Sequence, residues 1–341
     1  MRSVSLTRVL TGVSTLAAAG IITVLLQGHS SAAEGHARMS AVADSASSSA
    51  SANPSASAKP SAEPSPKPSA SASASPTTAP SPTTAPRPTT APTPAASAPP
   101  TPAAPAADAA LLGAAAQANG AVSVSVTDLE TGQSLTYGAP GHGFATASIV
   151  KVDILSTLLL QAQDQGTTLT AAQQSLATAM IENSDNDSAT ALWNEIGQES
   201  GLNAANTRFG LTSTSGGTDG NWGLTSTTAA DQVLLLRQVF TSDSLLSAAS
   251  RGYLQGLLGQ VESDQRWGVS AAASGSDYAV KDGWLPRSAT GLWVINSIGT
   301  VERDGHQLLI AVVSDGNSSE SGGISLVQSV AQAAAGSLDG S

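Results

Sequence analysis

A low-complexity tract over residues 40–107 constrains this chain most, because Ala, Ser, Pro and Thr crowd it and larger apolar side chains are almost absent. Such a composition cannot bury enough apolar surface to form a core. Runs such as Ala79-Pro80-Ser81-Pro82 favour extended polyproline conformations. We therefore interpret residues 34–107 as a disordered linker. Folding is left to residues 108–341, which are numerous enough for one domain with a sizeable core.

The N-terminus has the composition of an export signal. Arg2 and Arg8 precede or open an apolar run from Val9 to Leu26, and small residues follow it. The run has 18 residues, which lies between the core of a signal peptide and a membrane-spanning helix. Residues 1–33 are therefore predicted to be a signal peptide or a signal anchor. Either outcome places the domain outside the cytoplasm, secreted or membrane-anchored in the cell envelope.

Charge and residue counts exclude several classes of function. From residue 108 onwards, 8 Lys and Arg face 22 Asp and Glu, a formal net charge of −14, which excludes nucleic acid as a partner. The sequence has no Cys for a disulfide, a thiolate metal site or a lipid anchor. Of the four histidines, His142 and His306 lie in the folded part, and neither adjoins a serine nucleophile signature. We predict no metal and no cofactor, and we expect a monomer.

The apolar periodicity predicts strands near both ends of the folded part and helices between them. An α+β fold is therefore expected, an α/β sandwich whose antiparallel sheet is assembled from both ends of the chain and flanked by terminal helices. An all-helical subdomain is inserted in the middle, and the cleft beside it would hold the site. The predicted helices are 108–118, 148–160, 170–181, 188–196, 227–240, 245–259 and 324–335, and the strands are 122–126, 133–137, 278–281, 291–299 and 307–314.

A hydrolase that lacks a suitable histidine or metal can activate serine with a partly desolvated lysine. Ser148-Ile149-Val150-Lys151 fits this requirement, because residues three apart share one face of a helix and the amine can reach the hydroxyl. The Ser148 backbone N–H could also donate to an oxyanion. Ser and Lys three apart also occur by chance in many helices, so the pair needs support from other elements.

Two further elements supply that support. Ser184-Asp185-Asn186 falls where one predicted helix ends and another begins, although it is also ordinary capping composition. Lys281-Asp282-Gly283-Trp284 lies at the end of a predicted short strand, and Gly283 permits a close approach of backbone to ligand.

Together, in this order and spacing, the three elements resemble those of class A β-lactamases and penicillin-binding proteins, over residues 108–337. The resemblance implies a β-lactamase/transpeptidase-like fold and a small-molecule β-lactam or cell-wall peptide as substrate. It also implies a role for each matching residue: Ser148 as nucleophile, Lys151 as base, Ser184 and Lys281 as a proton shuttle, Asn186 as a ligand of the acyl amide, and the N–H groups of Ser148 and Trp284 as the oxyanion hole.

The sequence departs from that family at two places. Asp282 stands where the family has a hydroxyl that binds a substrate carboxylate, and Arg287 could compensate its charge. The loop over residues 212–225 contains no Glu to activate a deacylating water, and Asp219 is its sole acidic residue and a candidate base. Acylation is thus better supported than deacylation.

Two alternatives stay open at this point: an efficient β-lactamase with an unusual deacylation route, and a catalytically silent domain that binds or senses the cell envelope. The lysine beside Ser148 favours chemistry over silence, because a binding module would not need it.

Overall fold

Five strands with alternating apolar residues pair into one antiparallel sheet. The computed structural model describes residues 106–339. Its strands are β1 (Val122–Asp128), β2 (Ser134–Gly138), β3 (Phe144–Ala145), β4 (Ser226–Thr227), β5 (Tyr278–Arg287), β6 (Leu292–Arg303) and β7 (His306–Asn317). The order in the main sheet is β2-β1-β7-β6-β5, and β3 and β4 form a separate pair. The expected assembly of the sheet from both ends of the chain is therefore confirmed.

Helices cover both faces of this sheet. They are α1 (Ala109–Ala115), α2 (Val150–Asp164), α3 (Ala171–Glu182), α4 (Asn186–Glu195), α5 (Gln198–Phe209), α6 (Ala229–Phe240), α7 (Ala248–Leu258) and α8 (Glu320–Gly336). On one face, Ile310 of β7 packs in a cluster with Leu111 of α1 and Val327 of α8. On the other face, Leu309 packs in the cluster of the middle helices. Alternation along β7 thus supplies both cores.

Helix α2 is buried around its whole circumference. The sequence predicts one apolar stripe there, through Val152, Leu155 and Leu159, yet every residue from Val150 to Leu160 is buried. A helix enclosed by other helices and a sheet has no solvent face. The polar residues of this stretch must therefore lie inside the protein, and they include Lys151 and Asp153.

Besides the short β3–β4 pair, which the sequence does not predict, α5 and β5 differ from the sequence-based expectation. The apolar pattern does not predict helix α5, because its sequence is polar and Gly197 and Gly210, both with positive φ, interrupt the chain at its ends. Its buried residues Leu202, Ala205 and Phe209 do follow a helical spacing that could have revealed it. Strand β5 continues well beyond the predicted residues 278–281. Lys281-Asp282-Gly283 consequently lies within a strand and not at its end.

The predicted export segment, residues 1–33, and the linker up to residue 105 lie outside the described residues. Within residues 106–339, no helix combines the length and the apolar character needed to cross a membrane.

Candidate active site

Ser148 lies on a short 3-10 turn, Ala147–Ile149, that leads directly into α2. The residue before it, Ala147, has a φ of 48°, a left-handed conformation that costs energy for a residue with a side chain. One turn later, Lys151 is fully buried, and its Nζ lies 3.1 Å from the Ser148 hydroxyl oxygen. The two predicted residues are therefore within hydrogen-bonding distance.

The Lys151 amine has more neighbours than an ammonium group can serve. Besides Ser148 Oγ, its Nζ contacts the Ser184 carbonyl at 2.6 Å, Ser184 Oγ at 3.0 Å and Asn186 Oδ1 at 2.8 Å. An ammonium has three protons to donate, whereas a neutral amine donates two and accepts one. Four oxygens exceed the capacity of either form, so the number of contacts alone does not select a protonation state.

Electrostatics favour the neutral form of Lys151. Burial lowers the pKa of Lys151 well below its usual range, the charge of Lys281 lowers it further, and Asp185 opposes both effects. A lysine in this state can accept the Ser148 proton, which an ordinary surface lysine at neutral pH cannot.

The corner between α3 and α4 carries Ser184 and Asn186 into this cluster. Ser184 has a φ of 56°, which turns the chain sharply. Asp185 holds the corner, because its carboxylate accepts a hydrogen bond of 2.7 Å from the Ser188 N–H and caps α4. Within this motif Asp185 caps the helix, while Ser184 and Asn186 contact Lys151.

Lys281 approaches from the sheet. Its Nζ donates to Ser184 Oγ at 3.0 Å and to the Asp282 carbonyl at 3.1 Å, and the side chain is fully buried. Burial lowers the pKa of Lys281, while Asp282 acts in the opposite direction. The Ser184 hydroxyl thus lies between two lysine amines.

Strand β5 passes unusually close to the turn that carries Ser148. A Cβ atom added at Gly283 would lie 2.7 Å from the Ser148 nitrogen and 2.8 Å from the Ile149 nitrogen, so no larger residue fits there. This approach brings the β5 backbone at Gly283, the residue before Trp284, next to the Ser148 N–H.

Asn296 is a residue of the site region that the sequence does not reveal. From β6, its Nδ2 donates to the carbonyls of Ala145 and Thr146, at 2.8 Å and 2.9 Å, and its Oδ1 accepts from the Ser314 N–H. It ties the segment before Ser148 to the sheet. The two carbonyls lie about 150 residues away in sequence, and no local pattern marks these contacts.

The expectation that Asp282 faces a substrate carboxylate needs correction. Its side chain is fully buried, and its Oδ2 accepts a hydrogen bond of 2.9 Å from the Trp267 N–H. Successive residues of a strand point to opposite faces, so the side chains of Lys281 and Asp282 diverge. Burial raises the pKa of Asp282, against the effect of Lys281, so the charge expected there is also suppressed.

Arg287 and Asp219 lie outside the hydrogen-bonded cluster. Arg287 is exposed and lines a cavity beside Asn186, together with Trp222 and Leu285. Asp219 is exposed on a turn with a φ of 54°. The loop residue that does reach the cluster is Trp222, whose ring centroid lies 5.0 Å from Lys151 Nζ.

The two histidines of the described chain each pair with an aspartate. His142 Nε2 lies 2.7 Å from Asp315, and His306 Nδ1 lies 2.8 Å from Asp128. The ligand atoms of Asp128, Glu130 and His306 could converge on one ion. Asp128 already accepts hydrogen bonds from the Glu130 N–H and the Thr131 hydroxyl, which explains the group as a capped turn.

Comparisons with known proteins agree with this architecture. A family model described as the beta-lactamase enzyme family matches residues 159–338, a span that includes Ser184 and Lys281 and begins after Lys151. LppW of Mycobacterium tuberculosis, a protein named as a lipoprotein, is 28% identical over 177 residues, which are 50% of this chain and 56% of LppW. The match thus spans about half the length of this curated relative.

Solved structures share the fold at low sequence identity. A β-lactamase from Xanthomonas campestris pv. campestris is 19% identical with a TM-score of 0.56, over 67% of this chain and 96% of that one. A mutant of PBP-A, solved as an acyl-enzyme complex with penicillin G, is 20% identical with a TM-score of 0.57, over 67% of this chain and 94% of that one.

Proposed function

The chain belongs to the beta-lactamase enzyme family, and from this premise we propose that it is an exported serine hydrolase that forms an acyl-enzyme on Ser148. One observation carries the proposal: Lys151 Nζ contacts both the Ser148 and the Ser184 hydroxyls, and Lys281 Nζ contacts the Ser184 hydroxyl from the other side. This is a continuous path for a proton between the nucleophile and a second hydroxyl.

In the proposed first step, neutral Lys151 takes the proton of the Ser148 hydroxyl while Ser148 Oγ attacks the carbonyl carbon of an amide or β-lactam. The negative oxygen that forms is held by the N–H groups of Ser148 and Trp284, which the close approach at Gly283 supports.

In the second half of acylation, the C–N bond breaks and the leaving nitrogen takes a proton from Ser184. Lys151 then returns a proton to Ser184 Oγ. The positive charge of Lys281 stabilises that oxygen electrostatically. Asn186, already bonded to Lys151, presents its amide toward the acyl side chain.

We further propose β-lactams or peptidoglycan-like peptides as substrates and the cell envelope as location. The PBP-A mutant whose fold this chain shares was solved with penicillin G attached, and LppW is named as a lipoprotein. This sequence has no Cys to carry a lipid, so the predicted N-terminal segment, residues 1–33, would have to supply export and any membrane attachment.

A labelling experiment with a fluorescent penicillin tests the proposal. The unmodified protein should become covalently labelled, and intact-mass analysis should show one adduct. Ser148→Ala should abolish the adduct while leaving the thermal midpoint close to that of the unmodified protein, because one hydroxyl is removed. An adduct on the Ser148→Ala variant would overturn the assignment, and no label on the unmodified protein would favour the catalytically silent alternative.

A further inference from the structure

The loop over residues 211–228 presents an apolar wall to the catalytic cluster. Its single carboxylate, Asp219, is exposed, whereas Trp222 is only 5% exposed. The Trp222 ring lies over Lys151 Nζ at 5.0 Å, and this is the amine that contacts Ser148 Oγ. Trp222 thus occupies space next to the nucleophile.

Two hydrogen bonds and one glycine fix the loop in this position. The Trp222 indole N–H donates to Thr190 Oγ1 on α4 at 3.1 Å. The Thr225 carbonyl accepts a bond of 2.8 Å from the Thr146 N–H, two residues before Ser148. Gly217 allows the tight fold of the loop, since an added Cβ would lie 2.0 Å from the Asn221 carbonyl. The position of the indole is therefore fixed by hydrogen bonds of the ring and of its loop.

An indole in this state offers nothing to a water molecule. A buried water needs two to four polar partners, and an indole has one donor and no acceptor. That donor is already bonded to Thr190. Water on this side of Lys151 would face an aromatic surface.

Resting on the proposed function, we propose that Trp222 slows hydrolysis of the acyl-enzyme by keeping water away from the ester on Ser148. Hydrolysis of the ester adds water across its C–O bond, giving a carboxylic acid and the free Ser148 hydroxyl, and one proton of the water must pass to a base. Trp222 covers one side of Lys151, the amine that contacts Ser148 Oγ. The acyl-enzyme is therefore long-lived, and the indole sets its lifetime.

The test separates acylation from deacylation in four variants. Trp222→Ala removes the wall, Trp222→Phe keeps a ring over Lys151, Thr190→Val releases the indole N–H, and Trp193→Phe alters another buried tryptophan whose indole nitrogen has no partner among the described residues. Each protein is labelled with a fluorescent penicillin, chased with excess unlabelled benzylpenicillin, and followed by intact mass.

We expect the half-life of the acyl-enzyme to fall by about tenfold or more in Trp222→Ala, by less in Thr190→Val, and to stay within about threefold in Trp222→Phe and Trp193→Phe. Because release limits turnover, kcat should rise in Trp222→Ala while kcat/KM, which reports acylation, does not rise with it. A general loosening of the site would not give this split.

The outcomes distinguish the role of Trp222 from the proposed function. An unmodified protein that takes no label overturns the proposed function and the role of Trp222 with it. Normal labelling combined with an unchanged or longer half-life in Trp222→Ala overturns the role of Trp222 alone. If Trp222→Ala does not fold, a half-life in Thr190→Val equal to that of the unmodified protein overturns that role instead.

Discussion

On α2 and on β5, a buried lysine of the hydrogen-bonded cluster lies one or two residues from a buried aspartate that bonds elsewhere. On α2, Lys151 contacts Ser148, while Asp153 two residues later bonds to Asn206 at 2.9 Å. On β5, Lys281 contacts Ser184, while the adjacent Asp282 bonds to the Trp267 N–H. All four side chains are fully buried.

The difference lies in direction and in hydrogen bonding. Two positions along a helix, or one along a strand, turn a side chain to nearly the opposite face. Both lysines belong to one connected cluster. Both carboxylates keep one oxygen, Oδ1, without a hydrogen-bond partner among the described residues. A carboxylate that is buried with half its acceptors unused favours its neutral form. In the proposed mechanism the two lysines carry the proton, whereas neither carboxylate contacts the Ser148 or Ser184 hydroxyl by a hydrogen bond that the structure shows.

The largest effect that follows from this contrast concerns Lys151. Lys151→Ala should slow acylation by a fluorescent penicillin by at least about 100-fold, the lower range for loss of a general base. Asp153→Asn is the matched control on the same helix, and its second-order acylation constant should stay within about threefold. Equal constants for Lys151→Ala and the unmodified protein would mean that another group takes the Ser148 proton.

The second effect concerns stability, and it arises on Asp153. Burial raises the pKa of Asp153 from 3.8 to about 7, the bond from Asn206 opposes this, and Asp231 adds to it. The folded state therefore binds a proton that the unfolded state has already lost. The stability gained from the neutral form is complete below the unfolded pKa and is lost as the pH rises through about 7.

Asp153→Asn removes this dependence and keeps the shape of the side chain. Between pH 5 and pH 8, the free energy of unfolding of the unmodified protein should fall by about 2 to 3 kcal/mol more than that of the variant. Urea unfolding at the two pH values measures the difference. Parallel pH profiles for the two proteins would mean that Asp153 is ionised in the folded state. The interpretation of Asp153 as a neutral, structural residue would then be wrong.

The contrast also explains which features the sequence could reveal. The order of most strands and helices follows from local periodicity, and Ser148 and Lys151 are only three residues apart on a continuous helical stretch, so their proximity was predictable. The contact of Asn296 with Thr146 and the position of Trp222 over Lys151 depend on segments that meet only after folding. The direction of the Asp282 side chain could be predicted only if Asp282 was known to lie within β5. The predicted strand ended at residue 281, because the apolar pattern stops being regular at Asp282 and Gly283.

The smallest expected effect tests the opposite face of β5. On its motif alone, Asp282 should repel a substrate carboxylate, so that Asp282→Thr would favour β-lactams with a free carboxylate over neutral acyl esters. Two like unit charges about 6 Å apart at an effective dielectric of about 20 repel each other by roughly 2 to 3 kcal/mol. Removing this repulsion would change the ratio of acylation constants more than tenfold.

In the structure, we do not expect Asp282 to repel the substrate. Its carboxylate bonds to the Trp267 N–H on the face away from Lys281, and burial raises its pKa. Asp282→Asn keeps an oxygen for the Trp267 N–H and cannot ionise. The ratio of the constants for a carboxylate-bearing penicillin and a neutral ester should therefore stay within about threefold of that of the unmodified protein. Asp282→Thr should leave the ratio equally unchanged while lowering the thermal midpoint, since a shorter side chain gives up the Trp267 bond. A tenfold rise of the ratio in both variants would mean that the charge of Asp282 reaches the substrate, and the division of β5 into a catalytic and a structural face would fail.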